Sequence, residues 1–141
     1  MKINYKRLII FTLVPVLLGT IVGLLTSVNA NVDSVIPKWI FPVVWTILYV
    51  LMGISSYLVY EKEEELPKIY INQLIVNLLW SFIFFTFKWY TFAFIWIIFL
   101  FILVIKMILT FKEIDKTAAY LQIPYAIWLI VAAILNFMQI L

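Results

Sequence analysis

The sequence predicts an all-α membrane protein, a bundle of five transmembrane helices, on three observations. The chain of 141 residues is 67% hydrophobic and only 12% charged, with a mean hydropathy of +1.15. A soluble domain of that length carries far more charge on its surface. The apolar residues fall into five long stretches of about twenty, which at ~1.5 Å rise per residue match a hydrocarbon core ~30 Å thick. Short polar or charged connections separate these stretches. Lipid offers backbone groups no water, so each stretch is expected to satisfy its own hydrogen bonds as a helix. One domain, residues 1–141, accommodates all five.

The first span runs from Leu8 to Val28, behind a short basic segment containing Lys2, Lys6 and Arg7. A secretory signal peptide begins in the same way, but its apolar core is shorter, so this segment reads as a retained span. Gly19 and Gly23 form a small-xxx-small pair suited to close helix approach, with chance occurrence as the plain alternative. Pro15 has no N–H for its own turn and is expected to kink the helix. Thr26 to Pro37 is polar and turn-rich, with Asn29, Asn31, Asp33 and Ser34, and reads as a loop or a short re-entrant piece. The second span covers Trp39 to Tyr60, and Glu61 to Lys68 reads as an aqueous loop. The third span covers Ile69 to Phe87 and ends at a tight turn, Lys88-Trp89-Tyr90. The fourth covers Thr91 to Phe111, with Lys106 placed to snorkel. A loop from Lys112 to Lys116 leads to the fifth span, Thr117 to Leu141.

Five spans put the termini on opposite sides of the membrane. Lys2, Lys6, Arg7, Lys62, Lys68, Lys106, Lys112 and Lys116 then share the N-terminal side, against Lys38 and Lys88 on the other. That bias predicts a cytoplasmic N-terminus in a multi-pass protein of the bacterial plasma membrane. The small net charge of +3 fits orientation rather than nucleic-acid binding.

Composition also narrows the chemistry. The chain has no cysteine and no histidine, which removes disulfides, thiolate sites and the commonest metal ligand and general base. No metal site and no cofactor is expected. The seven carboxylates, Asp33, Glu61, Glu63, Glu64, Glu65, Glu113 and Asp115, all read as loop residues. Ion-coupled carriers usually need an ionisable group at mid-membrane, and a hydrolase with paired carboxylates lacks its groups for the same reason.

The spans carry uncharged hydrogen-bonding and aromatic side chains instead, at helical spacing. Pro42, Trp45 and Tyr49 share a face of the second span; Gln73, Asn77, Trp80/Ser81 and Phe84 share one on the third. Pro124/Tyr125, Trp128, Ala132 and Leu135/Asn136 share one on the fifth. Carboxamides need partners in a dry medium, so three such faces turned inward would satisfy one another and line a pocket. The candidate ligand-binding residues are Trp45, Tyr49, Asn77, Trp80, Tyr125, Trp128, Ala132 and Asn136. Interhelical glue is the plain alternative, and for Asn77 both readings stand. Trp39, Trp89 and Trp96 read as interface anchors or packing. Pro124 is expected to free the Tyr120 carbonyl and bend its helix.

These stripes resemble the TspO/MBR family, the tryptophan-rich sensory proteins related to the mitochondrial translocator protein. Pro37, Trp39, Phe41, Val44, Trp45, Leu48, Tyr49, Met52 and Gly53 meet its second-helix signature. Gln73, Leu74, Asn77, Trp80, Ser81, Phe84 and Phe85 meet the third-helix signature. Ala119, Leu121, Pro124, Tyr125, Trp128, Ala132, Leu135 and Asn136 meet the fifth. The resemblance implies a five-helix bundle, often a homodimer in lipid, with a cavity near the first loop for porphyrin-like or benzodiazepine-site ligands. By motif position Trp45, Asn77 and Trp128 match cavity residues. Trp45 and Trp128 match tryptophans linked to light-dependent porphyrin breakdown, which makes them tentative catalytic residues. Two departures stand in the first loop, where Ser34 replaces the family's usual tryptophan and Ile36 the first proline of its usual pair. The animal sterol motif has no counterpart in Phe137 to Leu141. The readings that follow are a porphyrin-binding receptor or sensor with a role in tetrapyrrole transport or regulation, a light-dependent porphyrin-degrading enzyme, and a purely structural membrane subunit.

Overall fold

The structure, a computed structural model, describes residues 2–27 and 35–141. Asn29, Asn31, Asp33 and Ser34 of the first loop lie outside the described residues. Five helical spans are long and apolar enough to cross a membrane: Tyr5–Ser27, Ile40–Glu63, Lys68–Thr86, Tyr90–Ile114 and Lys116–Ile140. The first two are the helices α1 and α2. The third is α3 (Lys68–Ser81) closed by a π-helical turn, Phe82–Thr86. The fourth is α4 (Tyr90–Ile114), and the fifth divides into α5 (Lys116–Leu121) and α6 (Ile123–Ile140).

The connections are shorter than the sequence suggests, because helices absorb their flanks. Thr26 and Ser27 belong to α1, each bonding its hydroxyl to a carbonyl of its own helix. Glu61, Lys62 and Glu63 complete α2, so Glu61 and Glu63 are helical rather than loop residues. The helix stops at Glu64, which is left-handed at φ 59° and returns its N–H to the Tyr60 carbonyl. Pro67, extended at ψ 140°, then presets the entry to α3. Lys88, at φ 56°, reverses the chain between the π turn and α4. The expected loop from Lys112 to Lys116 shrinks to Asp115, and Glu113 lies in the last turn of α4. Asp115 is extended and caps α5 by accepting the Ala118 N–H at 3.0 Å. The fifth span breaks at Gln122 rather than bending at Pro124, which sits in the first turn of α6, where a missing N–H costs least. Pro15 is buried within a continuous α1.

Helix α1 packs along α2, while α4 packs against α3, α5 and α6. Gly53 lets the α1 backbone come close to α2. A Cβ there would lie 2.4 Å from the Thr12 Cα and 2.6 Å from the Phe11 carbonyl oxygen. Near the N-terminus, Tyr57 Oη accepts the Asn4 N–H at 2.8 Å, and Arg7 pairs with Glu61 while lying over the Tyr60 ring. At the same end Lys62 Nζ lies 3.1 Å from Asp115 Oδ2, tying α2 to the start of α5. The backbones of α2, α3 and α6 rarely approach one another. Large side chains hold them apart, and a hollow forms between them.

Candidate ligand-binding cavity

The hollow has a volume of about 540 Å³, within the range of small-molecule sites. It is enclosed by the C-terminal part of α1, the N-terminal part of α2, the end of α3 with its π turn, and the C-terminal half of α6. Successive spans run in opposite directions, so all four segments lie at the end of the bundle that carries the first connection.

Its walls are aromatic. Trp45 stacks on Tyr49 with ring centroids 5.8 Å apart and 29° between planes, and Trp80 stacks on Phe84 at 4.9 Å and 23°. Trp128 meets Phe41 edge to face at 6.0 Å. These offset and perpendicular arrangements suit the ring quadrupoles. The spacing of three and four along each helix is what brings these rings to one side.

Beneath Tyr49 runs a buried polar chain joining three helices. The Tyr49 hydroxyl donates to Asn77 Oδ1 at 2.5 Å, and Asn77 Nδ2 donates to Tyr125 Oη at 2.7 Å. The Tyr125 hydroxyl donates to Gln73 Oε1 at 2.8 Å, and Gln73 Nε2 donates to the Tyr70 carbonyl at 3.0 Å. Higher up, Trp80 Nε1 donates to Asn136 Oδ1 at 3.1 Å, and Asn136 Nδ2 donates to the Tyr90 carbonyl at 2.8 Å. The carboxamides of Gln73, Asn77 and Asn136 are thereby satisfied inside the protein, as a dry medium demands.

Trp45, Tyr49, Trp80, Trp128, Ala132 and Asn136 line the cavity. Asn77 and Tyr125 do not; they lie under its floor, 3% and 1% exposed, with their polar groups engaged in the network. Sequence reasoning missed the contribution of α1. Gly19, Thr20, Gly23, Thr26 and Ser27 all face the hollow, and the signal was present as small and hydroxyl residues recurring at helical spacing in an otherwise bulky span. A Cβ on Gly19 would lie 2.2 Å from the Tyr49 ring, whereas one on Gly23 meets nothing within 4 Å. Gly19 therefore admits the Tyr49 ring, and Gly23 leaves room beside it. Lys38, in the turn before α2, was also missed; it is the one charged residue in the described lining.

The arrangement suits a flat, largely apolar ligand held between ring faces. It places no carboxylate in the described lining, and so no acid–base pair for ordinary hydrolysis.

The TspO/MBR family model matches residues 11–141. The tryptophan-rich sensory protein of Cereibacter sphaeroides is 34% identical over 103 residues, covering 72% of this chain and 65% of that one. The tryptophan-rich protein TspO of Chlorobaculum tepidum is 35% identical over 107 residues, 72% and 68% of the two chains. The translocator protein of Ovis aries is 32% identical over 108 residues, 72% and 64%. The chain thus spans about two thirds of the length of these relatives. The family match over nearly the whole chain, the five apolar spans and the tryptophan-lined hollow agree: this chain is a multi-pass integral membrane protein and belongs to the TspO/MBR family.

Proposed function

We propose that the protein is a membrane receptor or sensor that binds a porphyrin-type tetrapyrrole, or a drug-like molecule of similar flat aromatic shape, in this cavity. The observation that carries the reading is a hollow of about 540 Å³ walled by the rings of Trp45, Trp80, Phe84 and Trp128. The name of the Cereibacter relative, a tryptophan-rich sensory protein, supports a sensing role. With neither His nor Cys in the chain, haem iron finds no usual axial ligand, so a metal-free macrocycle fits better. The bias of Lys and Arg supports an N-terminus in the cytoplasm of a bacterial cell, which would put the cavity toward the opposite face of the plasma membrane.

The test is a titration of purified protein with protoporphyrin, read by the porphyrin's own absorbance and by tryptophan quenching. Wild type saturates. Gly23→Phe, which fills open space, weakens binding by ~10-fold or more, equal to ~1.4 kcal/mol, while the melting temperature holds. Unchanged binding in Gly23→Phe refutes the cavity as the site.

A second reading, light-dependent porphyrin breakdown, is favoured by the presence of both Trp45 and Trp128 in the lining. It requires an indole in contact with illuminated porphyrin and oxygen, with the protein supplying position. New absorbance bands on illumination, lost in Trp128→Phe while dark binding persists, are its expected signature. Bands that survive in that variant refute it.

A further inference from the structure

We propose that the cavity selects a ligand bearing a carboxylate, and that Lys38 reads that group at the mouth while the Trp128 indole N–H takes an acceptor atom deeper inside. This deepens the reading of the cavity as the ligand site and rests on it.

Most polar groups around the hollow are already engaged within the protein. The hydroxyls of Thr20, Thr26, Ser27 and Thr46 donate to carbonyls of their own helices, at 2.8, 2.9, 3.0 and 2.7 Å. The Tyr49 hydroxyl is spent on Asn77, the Trp80 indole on Asn136, and the Asn136 amide on Tyr90. Besides the Ser81 hydroxyl and the Gln139 carboxamide, which also line the hollow, two donors stand out. Trp128 Nε1 is buried with no acceptor among the described residues. Lys38 has no carboxylate within ion-pair distance among the described residues, where the ion pairs, Arg7–Glu61 and Lys62–Asp115, lie at the other end of the bundle.

The hollow therefore presents donors and one positive charge. A neutral ligand that covers the mouth strips water from the Lys38 ammonium and returns nothing, whereas a carboxylate replaces that water with a charge-assisted hydrogen bond. Likewise a ligand with only hydrogen-bond donors leaves the Trp128 N–H buried and unpaired. A flat ring system with ring nitrogens or carbonyls and a peripheral carboxylate satisfies both. Lys38 is exposed and so partly screened, which makes it a residue of selectivity rather than of bulk affinity.

The experiment compares a porphyrin dicarboxylic acid with its dimethyl ester, the same ring without the charge, in one detergent at low salt. Wild type is expected to bind the acid ~5-fold more tightly than the ester, a preference that falls as salt is raised. Lys38→Gln brings the ratio to about one, through weaker binding of the acid and ester binding that holds or tightens, and Lys38→Arg keeps the preference. Trp128→Phe weakens both forms alike. Asp33, the carboxylate of the first connection, is controlled by Asp33→Asn, in which the acid preference is retained or strengthened. An acid-to-ester ratio unchanged in Lys38→Gln overturns the inference and leaves the cavity reading intact, as does ester binding that falls together with the acid. Failure of wild type to bind either form overturns both.

Discussion

Asn77→Leu tests whether the floor of the cavity is held by hydrogen bonds or only by shape. The substitution keeps the branching of the side chain and removes two bonds, from the Tyr49 hydroxyl at 2.5 Å and to Tyr125 Oη at 2.7 Å. Interhelical hydrogen bonds in membranes average ~0.6 kcal/mol, so the two together contribute about 1 kcal/mol. The larger cost is the Tyr49 hydroxyl, left facing an apolar side chain in a residue only 7% exposed, worth ~1–3 kcal/mol. Tyr125 loses less, because its own hydroxyl still donates to Gln73. The sum is a loss of about 3 kcal/mol, or a fall in melting temperature of ~5–10 °C for a chain of this size. The assay is thermal unfolding in detergent across a double-mutant cycle with Tyr49→Phe. That variant removes the stranded hydroxyl, so the double variant is expected to cost ~1–2 kcal/mol less than the sum of the two single ones. Additivity within ~0.5 kcal/mol refutes the reasoning, since it means that Tyr49 and Asn77 do not depend on each other.

Two further outcomes follow from buried polar groups outside the cavity. Gln122 is fully buried at the break between α5 and α6, and neither end of its carboxamide has a partner among the described residues. Gln122→Met, of similar shape, is therefore expected to raise stability by ~1 kcal/mol or more in the same unfolding assay, and a loss instead shows that the carboxamide is satisfied after all. Burial alone pushes the Asp115 carboxyl up, but the Ala118 N–H and the Lys62 ammonium outweigh it and hold the group below the ordinary carboxylate value. A depressed folded-state pKa contributes stability that is full above the unfolded value of 3.8 and is lost as pH falls through the folded one. Asn caps a helix about as well as Asp, so Asp115→Asn isolates the charge. Wild type is expected to be the more stable at pH ~7, and the gap closes below pH ~4; a gap unchanged to pH ~3 refutes this.

The five spans and the three aromatic faces, two of them bearing carboxamides, were legible in the sequence. Lipid permits few solutions to the hydrogen-bonding of a backbone, and a run of about twenty apolar residues has essentially one. The same scarcity of partners marks Gln73, Asn77 and Asn136 as inward-facing wherever the helices lie. Helical spacing cannot say which inward residue meets a neighbour and which meets a void. Asn77 and Trp80 stand three apart on one stripe, yet Asn77 is consumed under the floor while Trp80 forms the wall. That difference is set by how far α2, α3 and α6 stand apart at each level, and the spacing depends on rings contributed by all of them. The part played by α1 was decided in the same way. Gly19 and Gly23 repeat along one helix, but the Tyr49 ring fills the space beside the first and leaves the second open. Local pattern thus determined solvent, helices and faces. The hollow, its donor-rich lining and the position of Lys38 at its mouth were settled by packing, because they are properties of the gaps between helices and belong to no single one.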